Sequence, residues 1–171
     1  MGVHPQILDH VKRALERALE PGVRVRVSLT PLKLDYRRVF DWSRGQLKSW
    51  EVNEEVARAL SLYLENPSRL VVAVCAGDAY YEGLNFVFGL ASVEKRVASV
   101  YTARLAEIEP ERFLERLVKE VLHELGHLLG LEHCYNECVM RFSNNLLEVD
   151  EKPARFCSKC SARVRRVLDK A

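Results

Sequence analysis

Two histidines four residues apart, followed by a glycine and then a third histidine, constrain this 171-residue chain more than any other feature of it. The segment reads His123-Glu-Leu-Gly-His127-Leu-Leu-Gly130-Leu-Glu-His133. On an α-helix, residues i and i+4 share a face one turn apart, so His123 and His127 can aim two imidazoles at one point. Such a point suits zinc, and a catalytic zinc takes three protein ligands and keeps a fourth position open. His133 is the candidate third ligand. A continued helix would carry it away from the site, but Gly130 can adopt the left-handed conformation that ends a helix and turns the chain back. Glu124, next to the first ligand, stands where a general base belongs.

The helix carrying the motif is predicted over Glu111–Leu129, where Leu114, Leu117, Val118, Val121, Leu122, Leu125, Leu128 and Leu129 form a wide apolar face. Upstream, residues 5–19 read as an amphipathic helix stopped by Pro21-Gly22, and Val23–Leu29 alternates with period two as a half-buried strand. Residues 31–50 have no clear period and read as loop, with an aromatic segment at Phe40–Gln46. Asn53 is the predicted cap of a helix running to Asn66-Pro67. Arg69–Cys75 reads as a central strand buried on both faces, and Leu84–Ser92 and Arg96–Thr102 as two further strands. Residues 143–156 read as loop and 161–170 as a short basic helix. His4 and His10 lie far from any metal spacing and read as surface residues. Helices and strands interleave in an α+β (α/β-like) order.

At 171 residues the whole chain, 1–171, is expected to fold as a single domain. A net charge of +2 supplies no field favouring nucleic acid, and no apolar run approaches the eighteen residues of a membrane span. Neither partner is expected, and the chain reads as cytoplasmic. In a reducing compartment, Cys157-x-x-Cys160 and Cys134-x3-Cys138 together offer four thiolates for a closed, structural zinc. Disulfides or unmodified thiols are the alternatives; a thioredoxin-like role lacks its βαβ context. Cys75, inside an apolar run, reads as a small buried hydrophobe.

The string HExxHxxGxxH, followed by Cys134, Cys138, Met140, Cys157 and Cys160, resembles the archaemetzincins, a family within the metzincin metallopeptidases. The chain departs from that family pattern in two spacings, with three residues instead of four between Cys134 and Cys138 and sixteen instead of seventeen between Met140 and Cys157. Both departures are one-residue deletions that remove no ligand. The resemblance implies a mixed twisted sheet packed on helices, with Leu84–Ser92 as an edge strand lining the cleft and Met140 as a Met-turn beneath the zinc. It also implies hydrolysis of peptide or protein substrates by a zinc-activated water with Glu124 as base, and two zincs per chain. Some metzincins place a Tyr two residues after that methionine; here the position is Phe142. A zinc endoribonuclease also matches HxxxHxxGxxH, but such enzymes lack the Glu and the cysteine quartet. A catalytically impaired zinc-binding protein is the third reading.

Overall fold

The computed structural model describes residues 4–19, 26 and 32–169, so the predicted strand at 23–29 lies outside the described residues apart from Arg26. Helix α5 (Pro110–Leu128) is the longest element among them, and every residue from Arg116 to Gly126 is buried. Pro110 occupies its first turn, where a missing N–H costs nothing, and Glu111 complements the dipole. At the other end Gly130 takes φ +79°, Gly130 N donates to His127 O (2.9 Å) and Leu131 N to Gly126 O (2.9 Å). This is the Schellman closure that the glycine made available.

Against α5 lies a three-stranded sheet ordered β3 (Val71–Cys75), β6 (Val97–Tyr101), β5 (Gly89–Ser92). Strand β3 runs parallel to β6 and β5 antiparallel to it. The period of two sorts β6 onto two cores. Val100 joins Leu117, Val121 and Leu122 of α5 together with Val11 and Leu15 of α1 (Pro5–Ala18). Val97 and Tyr101 join Val39 of α2 (Tyr36–Val39) and Val52 and Val56 of α3 (Ser49–Ala59) on the opposite face. Helices therefore cover both faces of the sheet. A second small sheet holds β1 (Phe40–Asp41), β2 (Gln46–Lys48) and β4 (Ala79–Tyr80).

Several sequence expectations need correction. Among the described residues, 71–75 is half-buried and lies at one end of the three strands, whereas β6, buried at every residue, lies between the other two. An all-apolar run satisfies either role, so composition alone could not separate them. Asn53 does not cap α3: the helix begins at Ser49, and the buried Asn53 amide donates to Leu90 O and Ser92 Oγ, both at 3.0 Å. Leu62, read as part of an apolar face, is exposed, because the helix breaks at Leu60 and restarts as α4 (Ser61–Leu64). The aromatic segment 40–46 is a hairpin whose Trp42 projects into solvent and packs edge-on against Phe40. Segment 143–156 contains helix α6 (Leu146–Glu151), capped by Asn145, and α7 (Ser158–Leu168) begins within the Cys157–Cys160 pair. Among the described residues no helix is long and apolar enough to cross a membrane.

Candidate metal centre and cleft

The Schellman turn at Gly130 brings His133 back to His123 and His127, and one ring nitrogen of each lies within 4.8 Å of the others. The two helix histidines are tightly specified. His123 Nδ1 lies 2.8 Å from Val139 O, and His127 Nδ1 lies 2.8 Å from Leu131 O. A carbonyl only accepts, so both Nδ1 atoms carry the proton and both Nε2 atoms present lone pairs. Those two Nε2 atoms face each other at 3.1 Å. Burial holds the His123 pKa well below its usual range, helped by Lys152 and His127, and burial likewise lowers His127 and His133. Two neutral imidazoles with opposed lone pairs repel unless a cation lies between them. A tetrahedral zinc with Zn–N bonds of about 2.0–2.1 Å sets its ligand nitrogens about 3.3 Å apart, so the donor set fits zinc.

Glu124 is buried beside this trio in a cleft of about 780 Å³ that Glu120, Phe142 and Lys152 also line. Burial pushes its carboxyl well above the ordinary range, Glu120 adds to that push and Lys152 opposes it. A divalent cation at the imidazoles would oppose it further. The opposite wall is β5, whose Gly89, Leu90 and Ala91 line the cleft, in agreement with the expected edge strand. Contact there is close: a Cβ at Gly89 would lie 2.5 Å from Glu124 Oε1 and 2.6 Å from its Cγ. Only a glycine lets the strand approach the carboxylate this nearly.

Beneath the histidines, Met140 is fully buried, and a Cβ at Gly126 would overlap its sulfur and come within 3.1 Å of Phe156 Cε1. Cys134 N donates to Met140 O (2.9 Å), joining the loop after His133 to this turn. The four sulfurs of Cys134, Cys138, Cys157 and Cys160 lie within 4.8 Å of one another, with Cys134 and Cys157 at 3.8 Å. Tetrahedral zinc with Zn–S bonds of about 2.3 Å places its sulfurs about 3.8 Å apart, so this set fits zinc as well, whereas a disulfide needs about 2.05 Å. Burial raises the Cys138 and Cys160 thiols. Cys157 meets the same burial, yet Cys160 N–H, Asn136 and the neighbouring thiols bring it down to about 6. Cys75 stands apart, partly buried against the α3 side of the sheet; His4 caps α1 and His10 lies on it.

Glu120, Lys152 and Gly89 are cleft residues that the sequence reading did not single out. Glu120 was legible, since it lies one turn before Glu124 on the same helix face. Lys152 was not: a lysine in a polar stretch looks solvated, and its partner is 32 residues away.

A model of peptidase family M54 matches residues 11–166. The archaemetzincin of Aeropyrum pernix is 49% identical over 126 residues, covering 73% of this chain and 68% of that one. That of Pyrobaculum aerophilum is 48% identical over 136 residues, covering 79% and 81%. The crystal structure of archaemetzincin from Methanopyrus kandleri is similar at TM-score 0.82 and 36% identity, covering 99% of this chain and 91% of that one. That from Archaeoglobus fulgidus, complexed with malonate, gives TM-score 0.77 at 32% identity over 95% of each chain. The mixed α+β fold read from the sequence is the fold of these structures. The family model thus spans both the histidine trio and the cysteine quartet, and the chain belongs to peptidase family M54, the archaemetzincins, which makes it a zinc metallopeptidase.

Proposed function

We propose that His123, His127 and His133 hold the zinc of a peptide-bond hydrolase, that Glu124 is its general base, and that Cys134, Cys138, Cys157 and Cys160 hold a second, structural zinc, giving two per chain. The observation that carries this reading is the pair of Nε2 lone pairs opposed at 3.1 Å beside the buried Glu124. Zinc in such a site makes a water nucleophilic near neutral pH and polarises a carbonyl. Glu124 takes the proton of the attacking water on Oε1 and later hands it to the leaving amine. The chain acts as one catalytic domain, with the cysteine clip at 134–160 as part of it.

Strand β5 orients the substrate. Tyr101 N donates to Phe88 O at 2.8 Å, so alternation along the antiparallel pair directs the N–H and C=O of Gly89 and Ala91 away from β6. An extended peptide can pair with those groups as an added strand. The scissile bond then passes Glu124, which touches Gly89. The test is hydrolysis of a quenched peptide library by the zinc-loaded protein and by Glu124→Ala. The wild type is expected to cleave, and the variant to keep its zinc and lose cleavage; a fully active Glu124→Ala would remove the base.

A further inference from the structure

The cleft holds one cationic side chain besides its histidines, among the described residues that line it, and that side chain is buried. Lys152 is 1% exposed, and its Nζ lies 2.8 Å from Oε1 of Glu120, itself 3% exposed. Besides this ion pair, Nζ donates a hydrogen bond of 3.4 Å to Arg141 O, between Met140 and Phe142. An ammonium has three N–H groups, so one ion pair and one hydrogen bond leave donor capacity for the cleft. The lysine is also firmly mounted. It ends α6, and α6 is fastened to α5 by Arg116, which donates to both Asp150 oxygens at 2.7 Å, and by Lys119 Nζ, which donates to Asp150 O at 2.8 Å. The side chain packed on His133, Phe142, has no polar atom to offer.

Stability does not explain this arrangement. Removing two charges from water is costly, and well-packed apolar groups in their place are often as stable or more so. A cation fixed in a low-dielectric cleft beside a general base is, by contrast, what a reaction that develops negative charge on oxygen requires.

Building on the peptidase reading, we propose that Lys152 is a catalytic residue that donates a hydrogen bond to the scissile carbonyl oxygen as that oxygen becomes anionic, and that Glu120 is the positioning residue that aims it. When water adds, its oxygen bonds to the carbonyl carbon and the C=O π pair moves onto the carbonyl oxygen. Lys152 keeps its proton and stabilises that charge. As the adduct collapses the pair returns, the C–N bond breaks and the amine leaves with the proton from Glu124, so that peptide and water give acid and amine.

The test compares the zinc-loaded wild type with Glu120→Leu/Lys152→Met, which removes both charges together and leaves neither stranded. Three quantities are read: zinc per chain, kcat against KM, and calorimetric affinity for a phosphinic peptide that presents a tetrahedral anion. The expected result is unchanged zinc, a KM within a few-fold, a kcat lower by about 100-fold, and phosphinic peptide binding weakened by a similar factor. A double variant with wild-type kcat and wild-type phosphinic peptide affinity overturns the role of Lys152 and leaves the peptidase reading intact. A zinc-loaded wild type that neither cleaves peptides nor binds the phosphinic peptide removes both. Should the double variant not fold, Glu120→Gln keeps the volume and releases the ammonium from its anchor. A smaller fall in kcat at constant KM is then expected, and unchanged kcat and phosphinic peptide affinity contradict the proposal.

Discussion

The sulfur of Met140 fills the space that a Cβ at Gly126 would need. Gly126 lies one residue before the ligand His127, and Met140 lies one residue after Val139, whose carbonyl orients His123. The packing of the turn beneath the helix therefore bears on both ligands at once. Gly126→Ala gains up to about 1 kcal/mol of helix propensity but overpacks the contact, at a cost of about 1–3 kcal/mol. The expected net result is a Tm lower by a few degrees. Adding Met140→Ala should make the pair less destabilising than the sum of the single changes, because the two side chains compete for one space. Thermal denaturation of the four proteins checks this; strict additivity would show that the contact does not matter.

Gly89 and Glu124 stand in a comparable relation across the cleft. Gly89→Ala pushes a methyl into the carboxylate and forces it aside. A shift of about 1 Å in a catalytic group can cost about 100-fold in rate. The variant should fold, hold its zinc and lose kcat by at least tenfold. Steady-state kinetics with zinc analysis decides the matter, and a wild-type kcat would mean that Glu124 relocates without consequence.

Acid should loosen the attachment of α6. Hydrogen bonds from Arg116 hold the Asp150 carboxyl below its ordinary value of 3.8. A depressed folded-state pKa contributes stability that is present above the unfolded value and lost as pH falls through the folded one. Asp150→Asn should therefore lower stability at pH 7 by about 2 kcal/mol, the scale of a hydrogen bond to a charged group. The gap from wild type should shrink below about pH 4. Denaturant unfolding at several pH values measures it, and a gap independent of pH would exclude the linkage.

The cysteine quartet should act through the same turn. Cys157 N lies 3.2 Å from Cys138 Sγ, and Phe156, the preceding residue, is buried against Gly126. Replacing Cys138 by Ser is expected to weaken zinc at the quartet by more than about 100-fold, since losing even an outer partner of a metal site costs about 10–100-fold. It should lower Tm while the histidine zinc remains. Competition with a chromophoric chelator resolves the two affinities, and loss of both zincs together would show that the sites are not independent.

What was legible in the chain follows from length and period. Helix α5 shows nineteen residues of amphipathic period, and the spacing of His123, His127, Gly130 and His133 is a local constraint that survives folding. The two-residue strand β1, the three-residue strand β2 and the six-residue α6 are too short to display a period, so 31–50 and 143–156 read as loop. Lys152 and Glu120 meet only because α6 is carried back onto α5 by Arg116 and Asp150. The glycines at 89 and 126 look like strand and helix irregularities until the atoms opposite them are known.

Native mass spectrometry of the wild type beside His127→Ala tests the central claim most directly. Two zincs on the wild type, and one on a folded His127→Ala that no longer cleaves peptides, is the predicted result. A wild type without zinc, or a His127→Ala that keeps both ions, would contradict it.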